Sequence, residues 1–448
     1  MLQTRGTVEM IPAARRLMSS LRDMGYEFTT AVADLVDNSV EAGATQVAID
    51  IEFEGENSWV RIADNGSGMT AESLREAMRY GSSRDYAESD LGKFGLGLKV
   101  ASLSQGQRLT VASRTHRSRA EISAYCWDLD HIERTDRWEL LPVATEGDGP
   151  LLHSLLKDSP GTVVLWQKLD RILGYQHPSG ESARRRLAEM CREVEGHLAM
   201  VFHRFLAGEA RHRRKLRILV NGHDVLPWDP FARTERATRK LEPTALPVRH
   251  GDLRGELILE PFILPHQSEF STAESFRRAS GPANWNQQQG FYIYRSDRLI
   301  QSGGWCRIRT LDEHTKLARV ALRFSPQLDE AFRVNVLKMR VQLPATMREQ
   351  ITDAISRVTR LANEAYRKTP GATDERRPDA AGEPRSTTNG HSSHQQVTRS
   401  DLDAAISTLL AVARPDERKV IRRVASRAMD ANVAKRRSSG RAGQKARH

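Results

Sequence analysis

The stretch ADLVDNSVEAGA, residues 33–44, mixes small and apolar residues with three acids and one asparagine. Asp34 and Asn38 are four residues apart, so a helix places both side chains on one face. Leu35 and Val36 are then free to pack against a sheet. An amide oxygen can bind a hard cation such as Mg²⁺, and a carboxylate can orient or deprotonate an attacking water. A solvated, charged helix face would carry the same residues, so this stretch alone leaves both interpretations open.

A glycine turn follows a predicted strand in ADNGSGM, residues 63–69. Asp64 ends the strand, and an acid in that place can accept a hydrogen bond from an exocyclic amine. Gly66 and Gly68 allow the backbone to approach a flat ligand closely. A plain hairpin turn has the same composition, and calcium loops use similar residues.

A second glycine-rich stretch, DLGKFGLGLKVAS, covers residues 90–102. Gly92, Gly95 and Gly97 lie at the start of a predicted helix, where backbone N–H groups attract phosphate. Lys93 adds a cation nearby. The spacing is not that of a P-loop, so a phosphate site here would be of another kind.

The order of these three elements within 70 residues resembles the GHKL ATPase superfamily. That superfamily includes DNA gyrase B, MutL, MORC proteins, the large heat-shock chaperones and histidine kinases. The resemblance covers residues 1–170 strongly and 215–345 more loosely, and it is closest to bacterial MORC-type proteins of the gyrase B/MutL/MORC branch. It implies an α+β fold: a Bergerat α/β sandwich that binds ATP, a transducer-like βαβ domain, and a helical basic tail.

The resemblance also implies ATP and Mg²⁺ as ligands. Asn38 matches the Mg²⁺-binding asparagine, and Asp64 matches the acid that takes the adenine amino group. Asp34 matches the catalytic base, which is usually Glu in gyrase- and MutL-type members. Because Asp is one methylene shorter, we expect slow hydrolysis. The other matched pocket positions are Gly66, Gly68 and Met69 at the adenine, Ser82, Ser83 and Arg84 where the lid begins, Gly92, Lys93, Phe94, Gly95, Leu96 and Gly97 in the phosphate lid with Lys99 nearby, and Thr162 on a later strand.

Residues 290–305, GFYIYRSDRLIQSGGW, resemble the strand–turn–strand of MORC-like transducers. Such transducers place a lysine on the γ-phosphate, where it acts as a point charge. Lys338 is the candidate and Arg340 the alternative, although a surface lysine in a loop would leave the same pattern. A histidine kinase is not expected, because no histidine precedes the first motif and such kinases lack a carboxylate at the position of Asp34.

Composition and periodicity divide the chain into five segments. One helix is predicted to run from residue 12 to about residue 42. The predicted segments are an ATP-binding domain at 1–175, a helical connector at 176–214, a transducer-like domain at 215–368, a flexible linker at 369–400 and a helical basic tail at 401–448.

The net charge of +11 is concentrated at one end of the chain. Residues 414–448 hold twelve Lys or Arg and three acids, a net charge of +9, and the remaining chain carries only +2. This favours nucleic acid, DNA in the first instance, bound through 414–448 independently of sequence. A solvated, solubilising tail is the alternative. No apolar run approaches the length of a membrane span and no secretory pattern is present, so we expect no membrane association and a cytoplasmic location.

These observations predict a Mg²⁺-dependent ATPase whose nucleotide state drives N-terminal pairing into a homodimer that acts on DNA. The first alternative is an ATP-gated clamp on nucleic acid with little hydrolysis. A heat-shock-chaperone-like protein acting on protein clients is a weaker alternative, because the long middle domain of those chaperones is missing.

Overall fold

The structure is a computed structural model, and it describes residues 10–23, 25–81, 97–116, 121–143, 149–174, 177–251, 253–282, 284–324, 326–329, 331–332 and 341–367. Within these ranges the chain forms ten α-helices and fourteen strands. The helices are α1 (Ala14–Arg22), α2 (Phe28–Glu41), α3 (Ala71–Met78), α4 (Gly97–Leu103), α5 (Leu129–Thr135), α6 (Gly149–Leu156), α7 (Glu181–Val201), α8 (His203–Ala207), α9 (Ala273–Ala279) and α10 (Arg348–Arg367).

The strands fall into two sheets. The first sheet contains β1 (Gln46–Glu52), β2 (Trp59–Asp64), β3 (Arg108–Arg114), β4 (Ser123–Asp128), β5 (Leu141–Pro142), β6 (Gly161–Gln167), β7 (Arg217–Val220) and β8 (His223–Asp224). The second contains β9 (Arg239–Lys240), β10 (Thr244–His250), β11 (Leu253–Ile263), β12 (Gly290–Arg295), β13 (Arg298–Ser302) and β14 (Ala318–Phe324).

The first sheet runs in the order β5-β4-β3-β6-β2-β1-β7-β8. Its strands alternate side chains between two faces, and each face is covered. Ile49, Ile62 and Trp166 belong to the larger core, which they share with α2, α4 and α7. Ala63 and Leu165 point to the other face and form a smaller core with α6. Helices therefore cover a mostly antiparallel sheet, and β2 lies at its centre.

The single helix predicted from residue 12 to about 42 is wrong, because the structure has two helices there. α1 ends at Arg22 and α2 begins at Phe28. Gly25 lies between them with a φ of +75°. That left-handed backbone conformation cannot continue a right-handed helix.

The first sheet extends past the boundary predicted at residue 215. β7 pairs in parallel with β1, and the Asn221 side chain accepts a hydrogen bond from the Ile51 backbone N–H at 2.8 Å. The larger core also includes α7, which was predicted to be a connector, and it continues to Val225. The second core begins at Trp228. Periodicity identified these elements correctly, but it could not show that β1 needs a partner from so far along the chain.

The second sheet runs in the order β10-β11-β14-β12-β13, and β9 pairs with β11. Strands β12 and β14 are parallel, and the other neighbours are antiparallel. The connection between the two parallel strands contains β13 and a 3₁₀ turn at Glu313–Thr315 in place of an α-helix. Helix α10 packs on this sheet through Ile351, Ile355 and Val358.

The architecture confirms the predicted α+β class. In the described part of the chain no helix is both long and apolar enough to cross a membrane.

Candidate functional site

Helix α2 is buried on nearly every side. Eleven of its 14 residues are buried, among them Asp34 and Asp37. Asn38 is exposed, and it is the one exposed residue of this helix. The surface-helix interpretation of this stretch is therefore wrong for most of α2, whereas the exposed Asn38 remains accessible to a ligand.

Asp64 ends β2, and its carboxylate accepts hydrogen bonds from the Gly66 backbone, the Ser39 hydroxyl and the Thr162 backbone. The Gly66 backbone N–H donates to Oδ1 at 2.8 Å, and the Ser39 hydroxyl donates to Oδ2 at 3.0 Å. Ser39 follows Asn38 on α2, so this bond ties the exposed amide to the end of the strand. Each carboxylate oxygen has two acceptor positions, so Asp64 can still accept from an exocyclic amine.

Burial raises the pKa of Asp64, because desolvation penalises the charged carboxylate. The hydrogen bonds from Gly66, Ser39 and the Thr162 backbone act in the opposite direction. Asp64 is thus a desolvated acceptor in a fixed orientation, a suitable group for recognising an amine donor.

Thr162 lies directly opposite Asp64, on the neighbouring strand β6. Its hydroxyl oxygen is 3.0 Å from the hydroxyl oxygen of Ser113. Ser113 donates to the Gly161 carbonyl at 2.8 Å and accepts from the Met69 backbone N–H at 2.8 Å. With its one proton on Gly161, Ser113 accepts from Thr162, which leaves the Thr162 oxygen as an acceptor. Three of the predicted residues, Asp64, Met69 and Thr162, are thus joined in one network.

The two turn glycines are required by close packing within the chain. Gly68 has a φ of +66°, and a methyl carbon there would lie 1.8 Å from the Arg114 carbonyl oxygen. A methyl carbon at Gly66 would lie 2.7 Å from the Ala42 side chain. These glycines therefore let the turn after β2 pack against α2 and β3.

Asp34 lies inside the protein, between α2 and its neighbours. The Tyr26 hydroxyl donates to its Oδ2 at 2.7 Å. Gly97, the first residue of α4, is close by: a methyl carbon there would lie 3.9 Å from the same oxygen. The structure thus brings together Asp34 and the last glycine of the predicted phosphate lid.

Asp37, to which the sequence assigned no chemical step, pairs with an arginine of the second sheet. Arg298 on β13 donates from Nε to Asp37 at 2.8 Å, and its Nη2 is 3.6 Å from Asp34 Oδ1. The Arg298 side chain is only 4% exposed. No short-range motif points to this pair, because its members are 261 residues apart.

Sequence reasoning also missed Tyr26, Ser39 and Ser113. Ser39 could have been predicted, because it follows Asn38, the candidate metal ligand, and its hydroxyl faces Asp64 at the end of β2. Tyr26 lies between the two helices and Ser113 lies inside β3. Neither position carries a pattern that separates it from ordinary core residues.

The Lys99 ammonium bonds to backbone carbonyls inside the protein, so it does not act as a cation beside the phosphates. Its Nζ donates to the carbonyls of Ala77 and Arg79, at 2.9 and 2.8 Å, where α3 ends. It also lies 5.7 Å from the centre of the Tyr80 ring. Burial lowers its pKa to about 8, and the charge of Glu76 partly opposes this.

A Mg²⁺ ion would need oxygen ligands beyond the protein. In the ranges that the structure describes, no group of three or more His, Cys, Asp or Glu could hold a metal. Mg²⁺ is commonly held by one or two protein oxygens together with substrate phosphates and water. The exposed amide of Asn38 fits that pattern.

Several predicted site residues lie outside the described residues. They are Ser82, Ser83, Arg84, Gly92, Lys93, Phe94, Gly95, Leu96, Lys338 and Arg340, and the predicted linker 369–400 and tail 401–448 also lie outside.

Part of the chain that contains this site is similar to known proteins. A family model described as histidine kinase-, DNA gyrase B- and HSP90-like ATPase matches residues 26–162. The chain is 35% identical over 123 residues to the DNA mismatch repair protein MutL of Aliivibrio fischeri, covering 26% of this chain and 18% of that protein. It is 39% identical over 124 residues to MutL of Shewanella loihica, covering 27% and 20%. The chain thus spans about a fifth of the length of the curated relatives it matches.

The buried ammonium of Lys99 predicts a pH-dependent stability. Its pKa is about 8 in the folded protein and 10.5 when unperturbed, so between these values the unfolded chain binds more protons. Stability therefore rises with pH in this window. We expect the unfolding free energy of the wild type, relative to that of Lys99→Met, to rise by about 1–2 kcal/mol between pH 7.5 and 9.5. Urea denaturation measures both free energies.

The exposed Lys215 provides the control, because Lys215→Met should leave the wild-type pH dependence unchanged. Parallel stability curves for the wild type and Lys99→Met would contradict a perturbed Lys99.

Proposed function

Residues 26–162 belong to the GHKL superfamily of ATP-binding domains, and from that premise we propose that the chain binds ATP with Mg²⁺ and hydrolyses it. The observation that carries this proposal is the arrangement around α2. A helix that is otherwise buried presents Asn38 to solvent, holds Asp34 beside the start of α4, and bonds to Asp64 through Ser39. These groups can bind a metal, orient a water that attacks a phosphate, and accept a hydrogen bond from an adenine amino group.

Recognition of the base falls to Asp64 and Thr162. The remaining acceptor position of Asp64 takes the adenine amino group, and Thr162 lies directly opposite Asp64 on the adjacent strand. Both groups are held by bonds to other residues, so little side-chain entropy is lost on binding. Gly66, Gly68 and Met69 form the turn against which the base lies.

Asn38 is the proposed metal ligand. A bound Mg²⁺ would offset phosphate charge at this place. The glycine-rich residues Gly92, Lys93, Phe94, Gly95, Leu96 and Gly97, with Ser82 and Ser83, are proposed to close over the phosphates, and Lys338 is proposed to reach the terminal one.

Asp34 is the proposed catalytic base. Water adds to the terminal phosphorus, the bond from that phosphorus to the bridging oxygen breaks, and Asp34 orients the water and accepts its proton. The Tyr26 hydroxyl bonded to Oδ2 restricts the rotation of the carboxylate. Restricted orientation favours the in-line geometry, while the short aspartate side chain limits its reach. We therefore propose slow turnover.

A second candidate function is an ATP-gated clamp on DNA with little hydrolysis. The engagement of Asp34 by Tyr26 and Arg298 favours it, because a carboxylate held by two partners is less available to a water. The MutL relatives are named as DNA mismatch repair proteins, and the net charge of +9 in residues 414–448 supports a polyanionic partner. The MORC-like assignment, the ATP-dependent homodimer and the cytoplasmic location belong to the proposal of an ATPase.

Substitutions at two aspartates distinguish catalysis from nucleotide binding. We expect Asp34→Asn to lower Mg²⁺-dependent ATP turnover by about 100-fold or more, because the amide cannot accept the proton, while the affinity for a non-hydrolysable ATP analogue is kept. Asp64→Asn should abolish that affinity, because its amide donates where adenine needs an acceptor. Turnover is measured by phosphate release, and affinity by calorimetry.

Asp50→Asn is the matched control, since Asp50 is an aspartate of β1 that pairs with Arg61. ATP turnover and the affinity for the ATP analogue should both stay at the wild-type level. If the wild type shows no Mg²⁺-dependent turnover, the hydrolase proposal fails and the clamp remains.

Deletion of residues 414–448 tests the DNA partner. Each lost phosphate contact should reduce the slope of log affinity against log salt by about 0.9. The measurement is anisotropy of labelled duplexes of two unrelated sequences, which should bind alike. An unchanged slope after the deletion would remove this segment from the proposal.

The mass of the protein in solution tests whether nucleotide drives dimerisation. With a non-hydrolysable ATP analogue we expect light scattering to report a dimer, because the proposal is that bound ATP drives pairing of the N-terminal domains. Asp64→Asn should stay unresponsive to the analogue. A wild-type protein that remains monomeric when saturated would contradict the proposal.

A further inference from the structure

We propose that Arg298, an arginine of the second sheet, is a positioning residue that holds Asp34 in the orientation needed for the hydrolysis of ATP. This inference rests on the proposed function, and it adds the residue through which the second sheet acts on the nucleotide site.

The geometry places one guanidinium against two carboxylates of α2. Arg298 Nε is 2.8 Å from Asp37, and Nη2 is 3.6 Å from Asp34 Oδ1. The side chains of Arg298, Asp34 and Asp37 are 4%, 5% and 0% exposed. Water screens such a cluster poorly, so its charges interact more strongly than a surface pair would.

The groups that the structure describes around Arg298 carry no positive charge of their own, so Arg298 supplies the positive charge of this cluster. The Phe202 ring lies with its centre 5.9 Å from the guanidinium. Burial, and next the charge of Arg298, lower the pKa of His197 on α7 to about 4, so this imidazole is neutral at physiological pH. Burial raises the pKa of Tyr26, so its hydroxyl remains a proton donor to Asp34.

The two oxygens of Asp34 are therefore set by different parts of the chain. Tyr26, just before α2, bonds to Oδ2, while Arg298 approaches Oδ1 from β13. The bond from Nε to Asp37 already anchors Arg298 to α2. Nη2 also brings positive charge to within 3.6 Å of the second oxygen of the proposed base, so Arg298 acts on Asp34 as well as on Asp37.

Arginine suits this place better than lysine. Its planar fork can face two carboxylates at once, whereas an ammonium acts as a single point charge. Removing the cation would leave buried carboxylates without their compensating charge, which is strongly unfavourable. Any displacement of β13 relative to α2 must therefore also shift Asp34.

The main test compares two arginines of the same β-hairpin. In Arg298→Lys we expect kcat to fall by about 10- to 100-fold, because a misplaced catalytic group costs that much. The Kd for the non-hydrolysable ATP analogue should stay within about twofold. Arg295→Lys is the control: Arg295 is equally buried and pairs with Asp329 at 2.9 Å. It should lose similar thermal stability and keep the wild-type kcat.

A double-mutant cycle with Asp34 distinguishes positioning from a purely structural role. If Arg298 acts through Asp34, then Arg298→Lys should lower kcat no further in an Asp34→Asn background. Asp37→Asn serves as a second variant, should Arg298→Lys fail to fold. It weakens the anchor of Arg298 and should lower kcat in the same direction.

Three outcomes would overturn the inference. They are a wild-type kcat in Arg298→Lys, an equal fall in Arg295→Lys, or an additive loss in the Asp34→Asn background. Each leaves the wild type an active ATPase. Failure of the proposed function looks different, because the wild type itself then shows no turnover and the inference falls with it.

Discussion

The structure depends on the burial of one polar helix. α2 must pack against a sheet and two other helices while it carries two buried carboxylates, and buried carboxylates are tolerated only with partners. Tyr26 and Arg298 provide them for Asp34 and Asp37. Ser39 uses the same helix to orient Asp64. The helix is thus both the centre of the larger core and the element on which the site is built.

This arrangement explains which residues of the candidate site could be predicted from the sequence and which could not. Asp34, Asn38 and Asp64 could be proposed from sequence because their spacing reflects local geometry, namely one helix face and one strand end. The family match to residues 26–162 covers all three. Arg298 could not be found in this way, because its pairing depends on the tertiary placement of a second sheet. Lys99 was misplaced for a related reason: a lysine near glycines suggests phosphate, but this one caps the end of α3.

The fold shows the same division between local and distant information. Sequence patterns predicted α4, α7 and the two strands of the 290–305 segment, because alternation and helical spacing record which face is buried. They did not predict shorter elements such as α5, α6 and α9. They also missed the interruption at Gly25 and the boundary after Val225. The first depends on one backbone angle, and the second on which strand completes an open sheet edge. Neither changes the hydrophobic pattern along the chain.

The late arrival of β7 has a consequence for the ribosome-bound chain. β1 is synthesised early, yet the Ile51 backbone is bonded by Asn221, 170 residues later. Until that strand emerges, one edge of β1 offers unpaired backbone groups to any other extended chain. The half of the protein that contains the first sheet therefore cannot finish folding until β7 has been synthesised, and slow translation before β7 would prolong the period in which that edge is open to misassembly.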